Sequence, residues 1–321
     1  MSIIERVAEL LTPAAARPDR DQAAPRDESD LPGVDVVERA VGESPHRTEP
    51  SEPRGAAPQA DAGRPSPQFR SRAAVRPAVT TKVLRIDPER LHQQGLILPE
   101  DKRTPTAEAF RRVKRQILLN LEHPKPDTRP NLVMVTSALP GEGKSFCAVN
   151  LALSLAAEMD HTVLLVDGDV ARPSLPQMLG VEADKGLMDV LLDREVHLSD
   201  ALFRTDIGKL MLLPAGTVQR QATEMLSSGA MRSLLKELSE QDANRVIIFD
   251  SPPIMAASEA SVLAGQMGQV VVVVEAGKTT EMALKAALGR IESSNVVGLL
   301  LNKGERASLL DGYGEYGYDA T

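Results

Sequence analysis

The chain has 321 residues, a formal net charge of −8 and one cysteine, Cys147. That length allows one or two domains with a sizeable core. The acidic balance argues against a nucleic-acid partner, which wants a basic face, and a single cysteine excludes an intramolecular disulfide or a cysteine-rich metal cluster.

In chain order, residues 1–11 come first. The stretch SIIERVAELL sets Ile3, Ile4, Val7, Leu10 and Leu11 at helical spacing. It predicts a short amphipathic helix, too short to be stable alone. Docking on a partner, docking on a membrane surface and fraying all fit it. The segment lacks the basic start, long apolar core and small-residue cleavage site of a signal peptide. The longest apolar candidate, VVVVV at 270–274, falls well short of the ~20 residues of a membrane span. The expectation is a soluble, cytoplasmic chain. Residues 12–80 carry eleven of the 23 prolines, with Phe69 as the only aromatic. Such a composition cannot offset its ordering entropy and reads as a disordered linker.

From residue 81 apolar runs alternate with helical patterns. NLVMVT (131–136), TVLLVD (162–167), KLMLLP (209–214), RVIIFD (245–250), QVVVVVE (269–275) and VVGLLLN (296–302) read as buried strands. Unbroken apolar runs suit a parallel sheet covered on both faces. Amphipathic stretches at 145–158, 229–241 and 279–294 supply helices. The predicted fold is α/β, a doubly wound and mostly parallel sheet like that of P-loop NTPases, over 81–310. Ligands are expected at the carboxyl ends of its strands.

Three motifs sit at such ends. SALPGEGKS (137–145) is a phosphate-binding loop of the form G-x-x-x-x-G-K-[ST], with Ala138 where the first glycine belongs. Gly141 and Gly143 let backbone N–H groups face phosphates, Lys144 reaches the β and γ oxygens, and Ser145 can ligate Mg²⁺. Pro140, Gly141, Glu142, Gly143, Lys144, Ser145 and Phe146 form the predicted ATP-binding set. VLLVDGDVARP (163–173) ends a strand with Asp167 and Asp169, and VIIFDSPP (246–253) does so with Asp250. Beside a phosphate loop, one carboxylate can support the metal while another accepts a proton from an attacking hydroxyl. Lys144, Asp167, Asp169 and Asp250 are the candidate catalytic groups, and Ser145, Asp169 and Asp250 the metal holders. Asn302 is placed either to meet an adenine edge or to cap the strand end. Cys147 is expected to be a buried small side chain on the following helix.

All three tyrosines, Tyr313, Tyr316 and Tyr318, lie in DGYGEYGYDAT (311–321). With this tail, the motifs resemble the bacterial tyrosine kinases of capsule and exopolysaccharide synthesis. The opening MSIIERVAELL and long linker look most like the exosortase-associated subgroup. The resemblance implies an autokinase that moves the γ-phosphoryl of ATP onto its own tail, with those three tyrosines as acceptors. It implies a homo-oligomeric ring built on a helix with E-x-x-R-x-x-R. Here Glu108 and Arg111 match and Lys114 takes the last place, losing the bidentate fork. Family members often carry arginine directly after D-x-D-x, where this chain has Ala171 and then Arg172. A separate membrane-spanning co-polymerase is implied as partner, placing the chain at the inner face of the plasma membrane. The rival is a ParA/MinD-like ATPase with dimerisation-dependent hydrolysis. Those proteins carry K-G-G-x-G-K, and Leu139 stands where the first lysine would be.

Overall fold

The computed structural model describes residues 83–98, 104–126, 128–218, 222–291 and 296–304. The expected N-terminal helix, the linker over 12–80 and the tail with Tyr313, Tyr316 and Tyr318 lie outside the described residues.

Strand β1 (Val83–Leu84) and helix α1 (Pro88–Gln93) precede the long helix α2 (Pro105–Glu122). Strands and helices then alternate: β2 (Leu132–Ser137), α3 (Lys144–Ala156), β3 (Thr162–Asp167), α4 (Leu175–Leu179), α5 (Leu187–Leu192), α6 (Leu198–Ala201), β4 (Phe203–Thr205) and β5 (Leu210–Leu213). The series continues with α7 (Ala222–Leu226), α8 (Gly229–Gln241), β6 (Arg245–Asp250), α9 (Ser258–Ala264), β7 (Gln269–Glu275), α10 (Glu281–Leu288) and β8 (Val297–Asn302). The strands make one eight-stranded sheet in the order β1-β4-β5-β3-β6-β2-β7-β8. Pairing is parallel from β5 through β8, while β4 is antiparallel to β5 and pairs in parallel with β1. The six expected strands are therefore all present. The reversed border of β1 and β4 is an addition, and two or three residues are too few to show a period in sequence.

Why the central strands read as unbroken apolar runs is visible in their packing. Val133, Val135, Val163, Leu165, Val246 and Ile248 face one layer, with Phe110, Val113 and Ile117 of α2 and Val149 and Leu153 of α3. Their neighbours Met134, Leu164, Val166, Ile247, Phe249 and Val272 face the other layer, with Leu234 and Leu238 of α8 and Leu284 of α10. Successive strand residues point to opposite faces, so a sheet covered twice needs apolar side chains at every position. Helix α2 starts where Thr104 caps Ala107 N–H and Pro105 presets the first turn. It buries Ala107, Phe110, Val113, Ile117 and Asn120 on one stripe. Asn120 is satisfied there by Gln269 of β7 at 2.8 Å. Helix α10 begins at the Thr280 cap and stops at Gly289, so the helical pattern expected to run to 294 ends earlier. No helix among the described residues is long and apolar enough to cross a membrane.

Candidate functional site

Strand β2 lies between β6 and β7, and the chain turns from it outward in both directions across the sheet. That reversal opens a crevice at the carboxyl ends of β2, β3 and β6. Into it project the phosphate loop and the carboxylates that end β3 and β6. Asp167 and Asp250 are direct partners in the parallel register of β3 and β6. Two adjacent strands thus carry their acids to the same level.

The loop from 138 to 143 is shaped by its glycines. Gly141 and Gly143 have φ of 88° and 93°, a region costly for any residue with a Cβ. Gly143 is required twice over, because a Cβ there would stand 2.2 Å from Asn302 Nδ2. Ala138 fits in place of glycine for the complementary reason: its φ is not positive, and its carbonyl accepts from Met255 N–H at 3.2 Å. Gly143 is also the N-cap of α3 and offers no side chain to the first turn. The helix presents its N–H groups and positive end to the crevice.

Between two left-handed glycines, the Glu142 side chain turns inward and is buried. Its Oε2 accepts Leu139 N–H at 2.7 Å, and its Oε1 accepts the Thr279 hydroxyl proton. Thr279 Oγ1 in turn accepts Glu275 N–H at 3.0 Å. The carboxylate closes the loop on itself and ties it to the turn after β7. Its backbone belongs to the expected ATP-binding set, but its side chain points away from the phosphate side. Pro140 is exposed at the loop tip. Phe146 packs edge-on against Phe110, ring centres 6.5 Å apart, so its ring serves the contact between α3 and α2.

Lys144 is the charge centre. Its Nζ lies 2.8 Å from Asp169 Oδ2 and 3.8 Å from Asp250 Oδ1, and 3.3 Å from Ser145 Oγ. Burial pushes its pKa down, but Asp250, Asp169 and Asp167 more than offset this and hold it above the ordinary lysine value. Asp167 is fully buried. Its Oδ2 accepts the N–H groups of Ser174 and Leu175, each at 3.0 Å, while Oδ1 has no hydrogen-bond partner. Burial and the Asp250 charge push its pKa up to about 7 against the two N–H bonds. Asp250 is buried beside Lys144, and burial pushes its pKa up to about 6 although Lys144 and Ser145 oppose the rise. Asp169 anchors the turn by accepting Arg172 N–H at 3.3 Å. Cys147 is buried, and burial together with Asp250 drives its thiol up to about 12, which makes it inert.

Buried carboxylate oxygens beside a hydroxyl and a phosphate loop fit a hard divalent cation such as Mg²⁺. No group of three or more His, Cys, Asp or Glu among the described residues is arranged to hold an ion by itself. Mg²⁺ needs none, since it takes one or two carboxylates and completes its shell with phosphates and water.

Asn302 is brought to the loop: its Nδ2 donates to Glu142 O at 2.9 Å. Of the expected ring residues, Glu108 and Arg111 pair with each other on the exposed side of α2. Lys114 turns back on its own protomer, donating to Ser154 O at 3.2 Å and pairing with Glu158 at 2.5 Å. Sequence reasoning did not single out Thr279 or Lys303, which hold the loop from positions more than 130 residues away. For Lys303 the only signal was its place directly after Asn302.

A family model, ParA, described as NUBPL iron-transfer P-loop NTPase, matches residues 129–302. The tyrosine-protein kinase YwqD of Bacillus subtilis (strain 168) is 33% identical over 228 residues, which cover 70% of this chain and 92% of that protein. The chain belongs to the bacterial tyrosine-protein kinase family. Within that family, the tyrosine-protein kinase ptk of Acinetobacter johnsonii is 31% identical over 182 residues, 56% of this chain. The chain spans only 24% of that longer protein. Among solved structures, the VpsO kinase domain superposes with a TM-score of 0.54 at 30% identity, covering 62% of this chain and 95% of its own. The iron transfer in the family model's description concerns other proteins.

Proposed function

We propose that this chain is an ATP-dependent protein-tyrosine autokinase that moves the γ-phosphoryl of ATP onto its own Tyr313, Tyr316 and Tyr318. The observation that carries the reading is a glycine-shaped phosphate loop whose Lys144 faces two carboxylates, Asp169 just past β3 and Asp250 at the end of β6. Family membership supports the kinase chemistry, and the tail supplies every phenol in the sequence.

In the proposed reaction, loop N–H groups and the start of α3 bind the phosphates and fix their orientation. Lys144 leaves Asp169 for the β and γ oxygens and neutralises charge as it develops. Asp167 is the group best fitted to take the phenol proton, because one oxygen is fixed by two N–H groups and the other is free. A pKa near operating pH also suits a general base. As the proton moves to Asp167, the phenol oxygen bonds to the γ phosphorus. The bond from that phosphorus to the bridging oxygen breaks, and ADP leaves with the electron pair. Ser145, Asp169 and Asp250 would hold Mg²⁺, which would supply positive charge against the charge that develops on the phosphates.

The setting we propose is exopolysaccharide or capsule polymerisation or export, with a homo-oligomeric ring and a membrane-spanning co-polymerase partner. It rests on the resemblance of the three motifs and the tyrosine tail to the kinases of capsule and exopolysaccharide synthesis, with MSIIERVAELL and the linker pointing to the exosortase-associated subgroup, and it would bring the chain to the inner face of the plasma membrane through that partner. The test is purified protein with ATP and Mg²⁺. Lys144→Met is expected to abolish phosphotyrosine while leaving the circular dichroism spectrum unchanged. Undiminished phosphotyrosine in that variant would refute the assignment, and ATP hydrolysis by the wild type without phosphotyrosine would favour the ParA/MinD-like reading.

A further inference from the structure

The phosphate loop is held from outside by the strand end that leads toward the tail. Lys303, directly after β8, has a φ of 59° and is the only non-glycine residue with positive φ among the described residues. Its Nζ donates to Gly141 O at 2.8 Å and lies 3.3 Å from Glu275 Oε2, which steadies the ammonium. Beside it, Asn302 holds the next carbonyl, Glu142 O, at 2.9 Å.

The consequence follows from peptide geometry. A trans peptide points its N–H opposite to its C=O. Drawing the Gly141 carbonyl toward Lys303 therefore turns Glu142 N–H to the other side of the loop. Drawing the Glu142 carbonyl toward Asn302 does the same for Gly143 N–H. Two successive amides facing one side form an anion-binding concavity, continuous here with the open first turn of α3. The backbone at 303 would suit glycine best, but glycine would have no ammonium to orient the loop.

We propose that Lys303, with Asn302, is a positioning residue that sets the peptide orientation of the phosphate loop, so that nucleotide affinity is governed by the residues that lead into the tyrosine tail. This rests on the reading that residues 140–145 bind nucleotide phosphate. Lys278 is the natural control, because its Nζ also pairs with Glu275, at 3.2 Å, without holding the loop.

The experiment titrates the full chain with a fluorescent ADP analogue and Mg²⁺, for the wild type, Lys303→Met, Lys303→Gly and Lys278→Met, at low and high salt. Lys303→Gly keeps the left-handed backbone and guards against misfolding. Both Lys303 variants are expected to bind about three- to tenfold more weakly, a range discounted for the exposure of the lysine. Lys278→Met is expected to stay within about twofold of wild type, as suits an exposed ion pair. In autophosphorylation the loss should fall on KM for ATP and leave kcat nearly unchanged, because the contact is made to the loop before and during transfer alike. The affinity ratio should persist at high salt, where a general charge effect is screened. Wild-type affinity in both Lys303 variants, equal weakening in Lys278→Met, or a ratio that collapses with salt would each overturn the proposal while leaving nucleotide binding in place. Failure of the wild type to bind the analogue would overturn the nucleotide reading and this proposal with it.

Discussion

Replacing Asp250 by asparagine should make the nucleotide-free protein more stable while destroying its activity. Asp250 is buried with Lys144 Nζ 3.8 Å from its Oδ1, and burial holds its pKa at about 6 against an ordinary 3.8 although Lys144 and Ser145 oppose the rise. Burial is the leading cause, and the attraction of Lys144 is already counted in that value, since protonation and amidation remove the same charge. Because the folded pKa is raised, folding favours the protonated form. The acid costs nothing below about pH 4, and its cost grows as pH rises toward the folded value. Above pH 6 the ionised group opposes folding by about 3 kcal/mol. For a domain of this size that corresponds to roughly 6 to 12 °C in Tm. Thermal unfolding followed by circular dichroism, without nucleotide, at pH 4 and pH 8 measures it. The expected result is an Asp250→Asn protein that melts several degrees above wild type at pH 8, with the advantage vanishing at pH 4. Magnesium and ADP should raise the Tm of the wild type more than that of the variant. A variant that melts below wild type at pH 8, or a difference independent of pH, would refute the argument that this carboxylate is held at a cost to stability.

Three further outcomes follow from the same geometry. Gly143→Ala must place a Cβ at φ 93° and displace the Asn302 amide, so nucleotide affinity in a fluorescence titration should fall at least about tenfold, with about 1 to 2 kcal/mol of stability lost. Thr279→Val leaves Glu142 Oε1 and Glu275 N–H without their partner; denaturant unfolding should show a loss of about 1 to 3 kcal/mol. Mixing the Lys144→Met protein, tail intact, with an active protein truncated after Leu310 should phosphorylate the inactive protein's tail. A tail that stays unmodified although the two assemble and the truncated protein binds ATP would exclude transfer between protomers.

What could be read from sequence was what local pattern dictates. The buried strands announced themselves because a sheet covered on both faces needs apolar side chains at every position, as Val246–Phe249 and Val270–Val274 show. The carboxylates were legible because Asp167, Asp169 and Asp250 break apolar runs at the end where an α/β sheet opens its crevice. Glycine at 143 was legible from the motif, but its second cause, Asn302 against the missing Cβ, was not. Hidden above all was the outer harness of the phosphate loop. In sequence Glu142 counts only as a member of the ATP-binding loop, yet two left-handed neighbours turn its side chain into the protein toward Thr279. Lys303 reads as a lysine in a polar stretch. Both meet their partners across more than 130 residues, and only the sheet order, which sets β7 and β8 beside β2, brings those positions together.

That same order bears on the proposal that the tail tyrosines are the acceptors. Strand β8 runs parallel to β7, and β7 to β2, so the chain leaves the sheet at the edge where the phosphate loop sits. Asn302 touches the loop itself. From Asn302 to Tyr313 there are eleven residues, enough to span about 36 to 40 Å when extended. In the proposed transfer between protomers, a span of that length would let a tail tyrosine reach a neighbour's crevice, which a tyrosine fixed in the core could not do. That span also starts close enough to its own crevice that length alone does not forbid transfer within a protomer. In the proposed ring, direction would come from whichever neighbour presents its Asp167 and Lys144 to the tail. Each phosphate added brings about −1.5 to −2 charges near Asp311, Glu315 and Asp319. If the tail is the acceptor, as proposed, a tail so charged would be repelled by the carboxylates of the crevice it occupies. Phosphorylation would then work against the contact that produced it and favour release of the tail and loosening of the proposed ring.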